Sequence, residues 1–267
     1  MEASSEKTAV SEAARGGIRL CASMAGEGPS IVLFHSLLAD RTSFDKIVAP
    51  LSRTHKVVIL SLPGFGASGA VRGGLDAIAD HIADSLPEFD LGPGAVFLGN
   101  GYGAFIAATL AVRHPGIAAK LVLVGCGVAF SEAGRDAFRN MSRLAHERGL
   151  EAVVDTAMQR LFSREFQANH PELMAERKDR FLAVDPDTFH NACSALASLD
   201  LRSGLPKIDV PVMVMVGEHD SATPPDMARE MANAIPDGRL RMLEGCAHVP
   251  QLQNPELFLS SIRGFID

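Results

Sequence analysis

The chain predicts an α/β fold: a mainly parallel sheet with helices on both faces and a helical lid inserted into it. Three observations carry this. Short β-branched runs alternate with amphipathic stretches along most of the 267 residues. That alternation demands crossover connections and a sheet covered on both sides. It breaks once, between about Phe130 and Ile208, where helical segments follow one another without a strand. Finally, the apolar run Val96-Phe97-Leu98 ends in Gly99-Asn100-Gly101-Tyr102-Gly103 and passes into a stretch of small and apolar residues. This is the strand–elbow–helix pattern G-x-S-x-G with glycine at its centre.

Taken in order, Ile18–Met24 and Ser30–His35 read as strands joined by Ala25-Gly26-Glu27-Gly28-Pro29. Phe44–Leu51 reads as a helix, Lys56–Leu60 as a buried strand and Leu75–Leu86 as a helix. Strand Ala95–Leu98 leads into helix Tyr102–His114, which Pro115 stops. Lys120–Val124 and Val212–Val216 are further apolar strands. Pro224–Ile235 is a helix with proline near its start; Arg239–Leu243 is a short strand and Pro255–Phe265 the last helix. Between them, Glu132–Arg148, Leu150–Phe162, Pro171–Ala183 and Thr188–Leu199 form the lid, punctuated by Asn169-His170-Pro171 and Val184-Asp185-Pro186. The expected organisation is a core of residues 1–129 and 209–267 with a lid of 130–208. Ligands of open α/β sheets bind at the carboxyl ends of the strands, so this insertion roofs the site.

Composition narrows the function. A net charge of −7, with no basic run, argues against nucleic acid and anionic membranes as partners. The start Met1-Glu2-Ala3-Ser4-Ser5-Glu6 lacks the layout of a signal peptide, and no apolar run reaches the roughly 18 residues of a membrane span. Cys21, Cys126, Cys193 and Cys246 show neither metal-ligand spacing nor a disulfide pattern. Together these point to a cytoplasmic protein acting on a small molecule, without metal, nucleotide or redox cofactor. Gly64, Gly66 and Gly69 lack the Lys-Ser/Thr of a phosphate loop.

Further pieces fall in the chain order nucleophile, acid, histidine. Gly217-Glu218-His219-Asp220 follows strand Val212–Val216, where Asp220 can orient an imidazole. Glu244-Gly245-Cys246-Ala247-His248 follows the last strand and offers His248 as general base. The loop His35-Ser36-Leu37-Leu38 supplies one oxyanion N–H, from Leu37, and the residue after the elbow, Tyr102, supplies the other. His35 braces that loop, His219 points away beside the acid, and His114 is structural before Pro115. Cys126 and Cys246 read as buried, inert thiols. Gly101 tolerates the strained elbow but has nothing with which to attack.

With these residues in place the chain resembles the α/β-hydrolase superfamily, and more narrowly the 3-oxoadipate enol-lactonase branch. The narrower likeness rests on His35-Ser36-Leu37 with Ala39-Asp40, Leu62-Pro63-Gly64-Phe65-Gly66-Ala67-Ser68, Gly217-Glu218-His219-Asp220 with Ala222-Thr223-Pro224-Pro225, and Met158-Gln159-Arg160-Leu161-Phe162 with Phe181–Pro186 and Leu199–Arg202. The resemblance implies hydrolysis of a small ester, lactone or related acyl substrate, with a pocket at Ser36, Phe130, Met158 and Leu161. Three departures stand out. The family serine is Gly101, and the lid tryptophan common in enol-lactonases is Leu161 in a chain without tryptophan. The usual His-Gly of the oxyanion loop is His35-Ser36, although enol-lactonases themselves often carry serine there. Gly101 is therefore either a serine replaced by design or a natural departure. The alternatives are an enzyme using His248 as base without a covalent intermediate, or a small-ligand-binding pseudoenzyme.

Overall fold

The parallel inner strands are buried along almost their whole length, and their side chains alternate between two separate cores. The computed structural model describes residues 9–92 and 94–267, so the signal-peptide reading of Met1–Glu6 lies outside the described residues. It contains one eight-stranded sheet. In chain order the elements are β1 (Ala9–Arg15), β2 (Ile18–Ala25), β3 (Ser30–Phe34), a 3-10 turn at Arg41–Phe44, α1 (Asp45–Leu51), β4 (Lys56–Ser61), α2 (Leu75–Ser85), β5 (Val96–Asn100), α3 (Tyr102–Arg113) and β6 (Lys120–Val124). Then come α4 (Glu132–Arg148), α5 (Val154–Leu161), α6 (Arg164–Asn169), α7 (Pro171–Leu182) and α8 (Pro186–Ser198), followed by β7 (Val212–Gly217), α9 (Pro225–Ala234), β8 (Gly238–Leu243), α10 (Pro250–Gln253) and α11 (Pro255–Ile266). No described helix is long and apolar enough to cross a membrane.

The strand order is β1-β2-β4-β3-β5-β6-β7-β8, antiparallel across β1-β2-β4 and parallel from β4 to β8. Because side chains alternate along a strand, Ile31 and Leu33 face one core with Val57, Ile59 and Leu98, whereas Val32 and Phe34 face the other with Val58, Leu60 and Phe97. The first core is closed by Ile47 and Leu51 of α1 and Phe258 and Ile262 of α11. The second is closed by α2, α3 and α9 and continues into the inserted helices through Phe138, Met158, Leu161, Phe181 and Phe189. Burying both faces is why these strands are continuous apolar runs. At the outer edge β8 interleaves Arg239 and Arg241 with its apolar residues, and such charges discourage edge pairing.

Strand β1 departs from expectation. Ala9-Val10-Ser11-Glu12-Ala13-Ala14-Arg15 shows no strand pattern, yet it pairs antiparallel with β2 in a register running from Ala9↔Met24 to Arg15↔Ile18. The two-residue turn Gly16-Gly17 has φ of 59° and 79°, the positive pair that a tight hairpin needs. The hairpin and its neighbour impose the strand.

The inserted helices start on strong caps. The Ser131 side chain accepts the Gly134 N–H at 3.2 Å before α4, and Asp185 accepts Thr188 N–H at 2.8 Å before α8, with Pro186 at the first helical position. The segment leaves and returns at one place: Ala129 bridges Asp200, and Leu201 N–H donates to Val128 O at 2.9 Å. The expected helix Leu150–Phe162 is a 3-10 turn at Leu150–Ala152 followed by α5.

Candidate functional site

The candidate residues Ser36, Leu37, Gly101, Asp220 and His248 all follow the carboxyl ends of strands in the parallel part of the sheet. Ser36 and Leu37 follow β3, Gly101 follows β5, Asp220 follows β7 and His248 follows β8. Strands β3 and β5 are parallel, but the strand that follows each in sequence, β4 and β6, lies on the opposite side, and a crevice opens at such a switch point.

The elbow is built from close backbone approach. Gly101 has φ 55° and ψ −118°, caps α3, and donates its N–H to Val124 O at 2.8 Å. Gly103 N–H donates to His35 O at 3.0 Å, and a Cβ on Gly103 would meet Phe34 O at 2.1 Å. Only glycine lets α3 rest directly on the end of β3.

Beside the elbow, His248 Nδ1 lies 2.8 Å from Asp220 Oδ2. Both side chains are buried. Asp220 is fully engaged: Oδ1 accepts the Ala222 and Thr223 N–H groups, each at 2.9 Å, and Oδ2 also accepts Thr223 Oγ1–H at 2.8 Å. With no other donor needed, the carboxylate assigns the proton of His248 to Nδ1 and leaves Nε2 unprotonated. The His248 backbone is pinned on both sides: its N–H donates to Leu161 O at 3.2 Å, and its carbonyl accepts Asn100 Nδ2 at 2.9 Å. Gln251 Nε2 donates in turn to Asn100 Oδ1 at 3.0 Å.

His35 is fully buried and braces its loop. Its Nδ1 lies 2.9 Å from Ser36 O, and its Nε2 accepts Leu62 N–H at 3.1 Å. Burial pushes its pKa down to about 4, so the ring is neutral near pH 7. Neither the Leu37 nor the Tyr102 N–H has an acceptor among the described residues, and both residues line one cavity with Gly101 and His248.

That cavity is small, about 30 Å³. Ser36, Leu37, Leu38, Phe105, Ala222 and Thr223 line it from the sheet's own loops and helix α3, and Phe130, Phe138, Arg160 and Leu196 line it from the segment between β6 and β7. The roof is aromatic: Phe130 lies 5.5 Å from Phe105 and 4.9 Å edge-on from Phe138. Of the expected pocket residues, Ser36 and Phe130 line the cavity, while Met158 and Leu161 do not. One helical turn apart on α5, those two share the face that packs into the hydrophobic core.

The neighbouring position, Arg160, reaches the cavity instead. Its guanidinium lies 5.1 Å over the Phe138 ring, half-buried, with no carboxylate or hydrogen-bond acceptor among the described residues. Burial lowers its pKa. Sequence reasoning missed Arg160, because a charged helix residue reads as solvent-facing. It missed Thr223 and Asn100 too, although Asp220-x-x-Thr223 is the spacing of a side-chain-capped turn.

A larger concavity, about 700 Å³, lies elsewhere, along α4 and α8. Its Arg139 and Arg143 are already paired with Glu132, Asp136 and Glu147, and its His190 Nδ1 lies 2.6 Å from Ser142 Oγ, but none of the residues at the Gly101 elbow lines it. The four cysteines are buried. Burial raises the Cys126 thiol, and Cys193 is pushed up to about 12, so neither is a ready thiolate. No group of three His, Cys, Asp or Glu residues among those described could hold a metal ion.

A family model described as the alpha/beta hydrolase fold matches residues 29–255. The chain is 29% identical over 261 residues to the polyketide synthase ThaQ of Burkholderia thailandensis, covering 94% of this chain but only 12% of that protein. It is 26% identical to a pimeloyl-[acyl-carrier protein] methyl ester esterase of Nitrosospira multiformis, covering 94% and 99% of the two chains. Among solved structures, the enol-lactonase from Burkholderia xenovorans LB400 superposes with a TM-score of 0.90 at 26% identity, covering 96% of this chain and 99% of that one.

Proposed function

Because the chain belongs to the α/β-hydrolase fold family, we propose that it hydrolyses a small ester or lactone carrying an anionic group, in the cavity over Gly101. One observation carries the reading: an Asp220-oriented imidazole presents a free Nε2 to the same cavity that the Leu37 and Tyr102 N–H groups line. Base and oxyanion donors meet where an acyl carbon can sit.

The chemistry follows from those positions. The substrate carbonyl oxygen lies between the Leu37 and Tyr102 N–H groups, which strengthen their bonds as it becomes an oxyanion. His248 Nε2 takes the proton of the attacking hydroxyl and returns it to the leaving oxygen, and Asp220 stabilises the imidazolium between the two transfers. Arg160, without an anion of its own, meets a carboxylate of the substrate. The relatives named as an enol-lactonase and as a methyl ester esterase act on bonds of this kind. A cavity of about 30 Å³ is too small for such a molecule, so the helices above it part on binding. Gly101 has no hydroxyl, and the attacking oxygen comes from another group.

The test is hydrolysis of a panel of activated esters and enol-lactones by the unaltered chain and by His248→Ala. Turnover that falls by about 10²-fold or more in the variant supports the reading. The closed cavity and Gly101 together favour a second one, binding without turnover. Tight binding of a carboxylate ligand with no product, and no effect of His248→Ala beyond affinity, would establish that instead.

A further inference from the structure

An ideal Cβ built on Gly101 would lie 2.6 Å from Ser36 Oγ, 3.2 Å from Ser36 Cβ and 2.7 Å from His248 Nε2. These are not the distances of a serine site lacking only its oxygen. A serine hydroxyl bonded to the ring would hold its Cβ about 3.5 Å from Nε2. The space of the missing hydroxymethyl is taken up by the Ser36 hydroxyl on one side and the edge of the imidazole on the other. We propose that Ser36 is the nucleophile of this chain, its Oγ acting in place of the elbow hydroxyl opposite His248.

The assignment rests on the hydrolase reading above and is supported by the state of every hydroxyl and thiol near the base. The cavity is lined by Ser36, Tyr102 and Thr223. Thr223 Oγ1 is committed to Asp220 Oδ2 at 2.8 Å. Burial raises the Tyr102 phenol far above its ordinary range, and the cysteines do not line the cavity. Ser36 is 2% exposed, lines the cavity, and its Oγ has no hydrogen-bond partner among the described residues, and of the two hydroxyls left without one, Ser36 and Tyr102, it is Ser36 Oγ that meets the elbow position beside His248 Nε2. His248 Nε2 is equally free, so two unpaired heteroatoms face each other across the width of one missing side chain.

The backbone of Ser36 is held while its side chain can turn. Its carbonyl receives Ala39 N–H at 3.3 Å and the His35 ring at 2.9 Å, so rotation about the Ser36 Cα–Cβ bond is the motion left. Contacts of this kind tighten when substrate arrives. The oxyanion donors also remain in place. An elbow serine is followed by Tyr102 and Ser36 is followed by Leu37, so the donor after the nucleophile and its partner merely exchange roles.

In the first step Ser36 Oγ bonds to the acyl carbon as its proton passes to His248 Nε2. The bond to the leaving oxygen then breaks and that oxygen takes the proton. In the second step a water gives a proton to Nε2 and attacks the acyl carbon, the Ser36 ester bond breaks, and Oγ recovers its proton. The net change is addition of one water.

The experiment treats the unaltered chain with a p-nitrophenyl phosphonate ester, maps the adduct by peptide mass spectrometry, and measures p-nitrophenyl acetate hydrolysis in parallel. The expected result is one adduct on the Ser36 peptide, lost in Ser36→Ala and in His248→Ala, with hydrolysis reduced at least about 10²-fold in both. Ser36→Cys, checked for an unchanged melting curve, should take the acyl group on its thiol. Ser36→Ala turning over as fast as the unaltered chain, while His248→Ala does not, overturns Ser36 and leaves hydrolysis by direct water attack. An adduct at any other residue overturns it as well. Absence of both turnover and adduct in every chain overturns the hydrolase reading and this assignment with it.

Discussion

Arg177 of α7 places its Nη1 3.7 Å from Asp40 Oδ1, tying an inserted helix to the loop that carries Ser36 and Leu37. Arg177 is 3% exposed, and its Nε and Nη1 make no hydrogen bond. Arg180 adds a second contact to Asp40 Oδ2 at 3.5 Å, and Asp40 caps the turn Arg41–Phe44 through Thr42 N–H at 3.1 Å. One carboxylate thus serves a buried cation and a loop cap together.

Removing the acid should therefore cost more than removing the base. Asp40→Ala leaves the buried Arg177 guanidinium with Glu176 as its one carboxylate partner among the described residues and uncaps the turn, and should lower stability by about 1–3 kcal/mol. Arg177→Met fills the same volume without a charge and should cost under about 1 kcal/mol. Urea denaturation of both variants checks the order, and equal losses would mean that the ion pair contributes nothing beyond packing.

Position 101 should be coupled to position 36. Gly101→Ser introduces a Cβ within 2.6 Å of Ser36 Oγ at φ 55°, and should destabilise by about 1–3 kcal/mol. Adding Ser36→Gly removes the obstructing hydroxyl. The double variant should be more stable than the two single changes sum to, by about 0.5–3 kcal/mol. Additive changes would place the Ser36 side chain outside the contact.

Much of this was legible in the chain because burial writes itself into sequence. Strands β3 to β7 are covered on both faces, so Ser30–Phe34, Lys56–Ser61 and Val212–Gly217 are near-continuous apolar runs. Asp220 and His248 were legible because a strand end fixes where a loop residue can be. Strand β1 was not, since Ala9–Arg15 takes its conformation from pairing with β2 rather than from its own residues. Nor was the facing of α5. Periodicity places Met158 and Leu161 on one stripe, but packing decides that the stripe meets the core and that Arg160, beside it, meets the cavity.

Arg160 gives opposite expectations for stability and function. Arg160→Gln removes a half-buried cation with no anion partner, so the thermal midpoint should hold or rise. The same change should lower kcat/KM for carboxylate-bearing esters by about 10- to 100-fold, the value of a charged hydrogen bond, and leave neutral esters unaffected. Paired assays of a half-ester and its dimethyl ester test this, and an equal loss on both would remove Arg160 from anion recognition.

His35 sets a pH dependence of stability. Its pKa of about 4 in the fold lies below the ordinary value near 6.5. Between those limits the unfolded chain binds the proton and the folded chain does not. The contribution is complete above about pH 6.5 and is lost as pH falls toward 4, by about 3 kcal/mol in all. Denaturation midpoints at pH 7.5 and pH 4.5 should differ accordingly, and His35→Gln should flatten the difference.

The hydrogen bond from His248 N–H to Leu161 O has a mechanical consequence. Leu161 ends α5, so any outward swing of that helix withdraws the acceptor from the base's own backbone. With that bond broken, His248 would keep its contacts to Asn100, Asp220 and Thr223. The strand-end loop that carries the histidine is thus tied to the last turn of an inserted helix, and a displacement of one would be felt by the other.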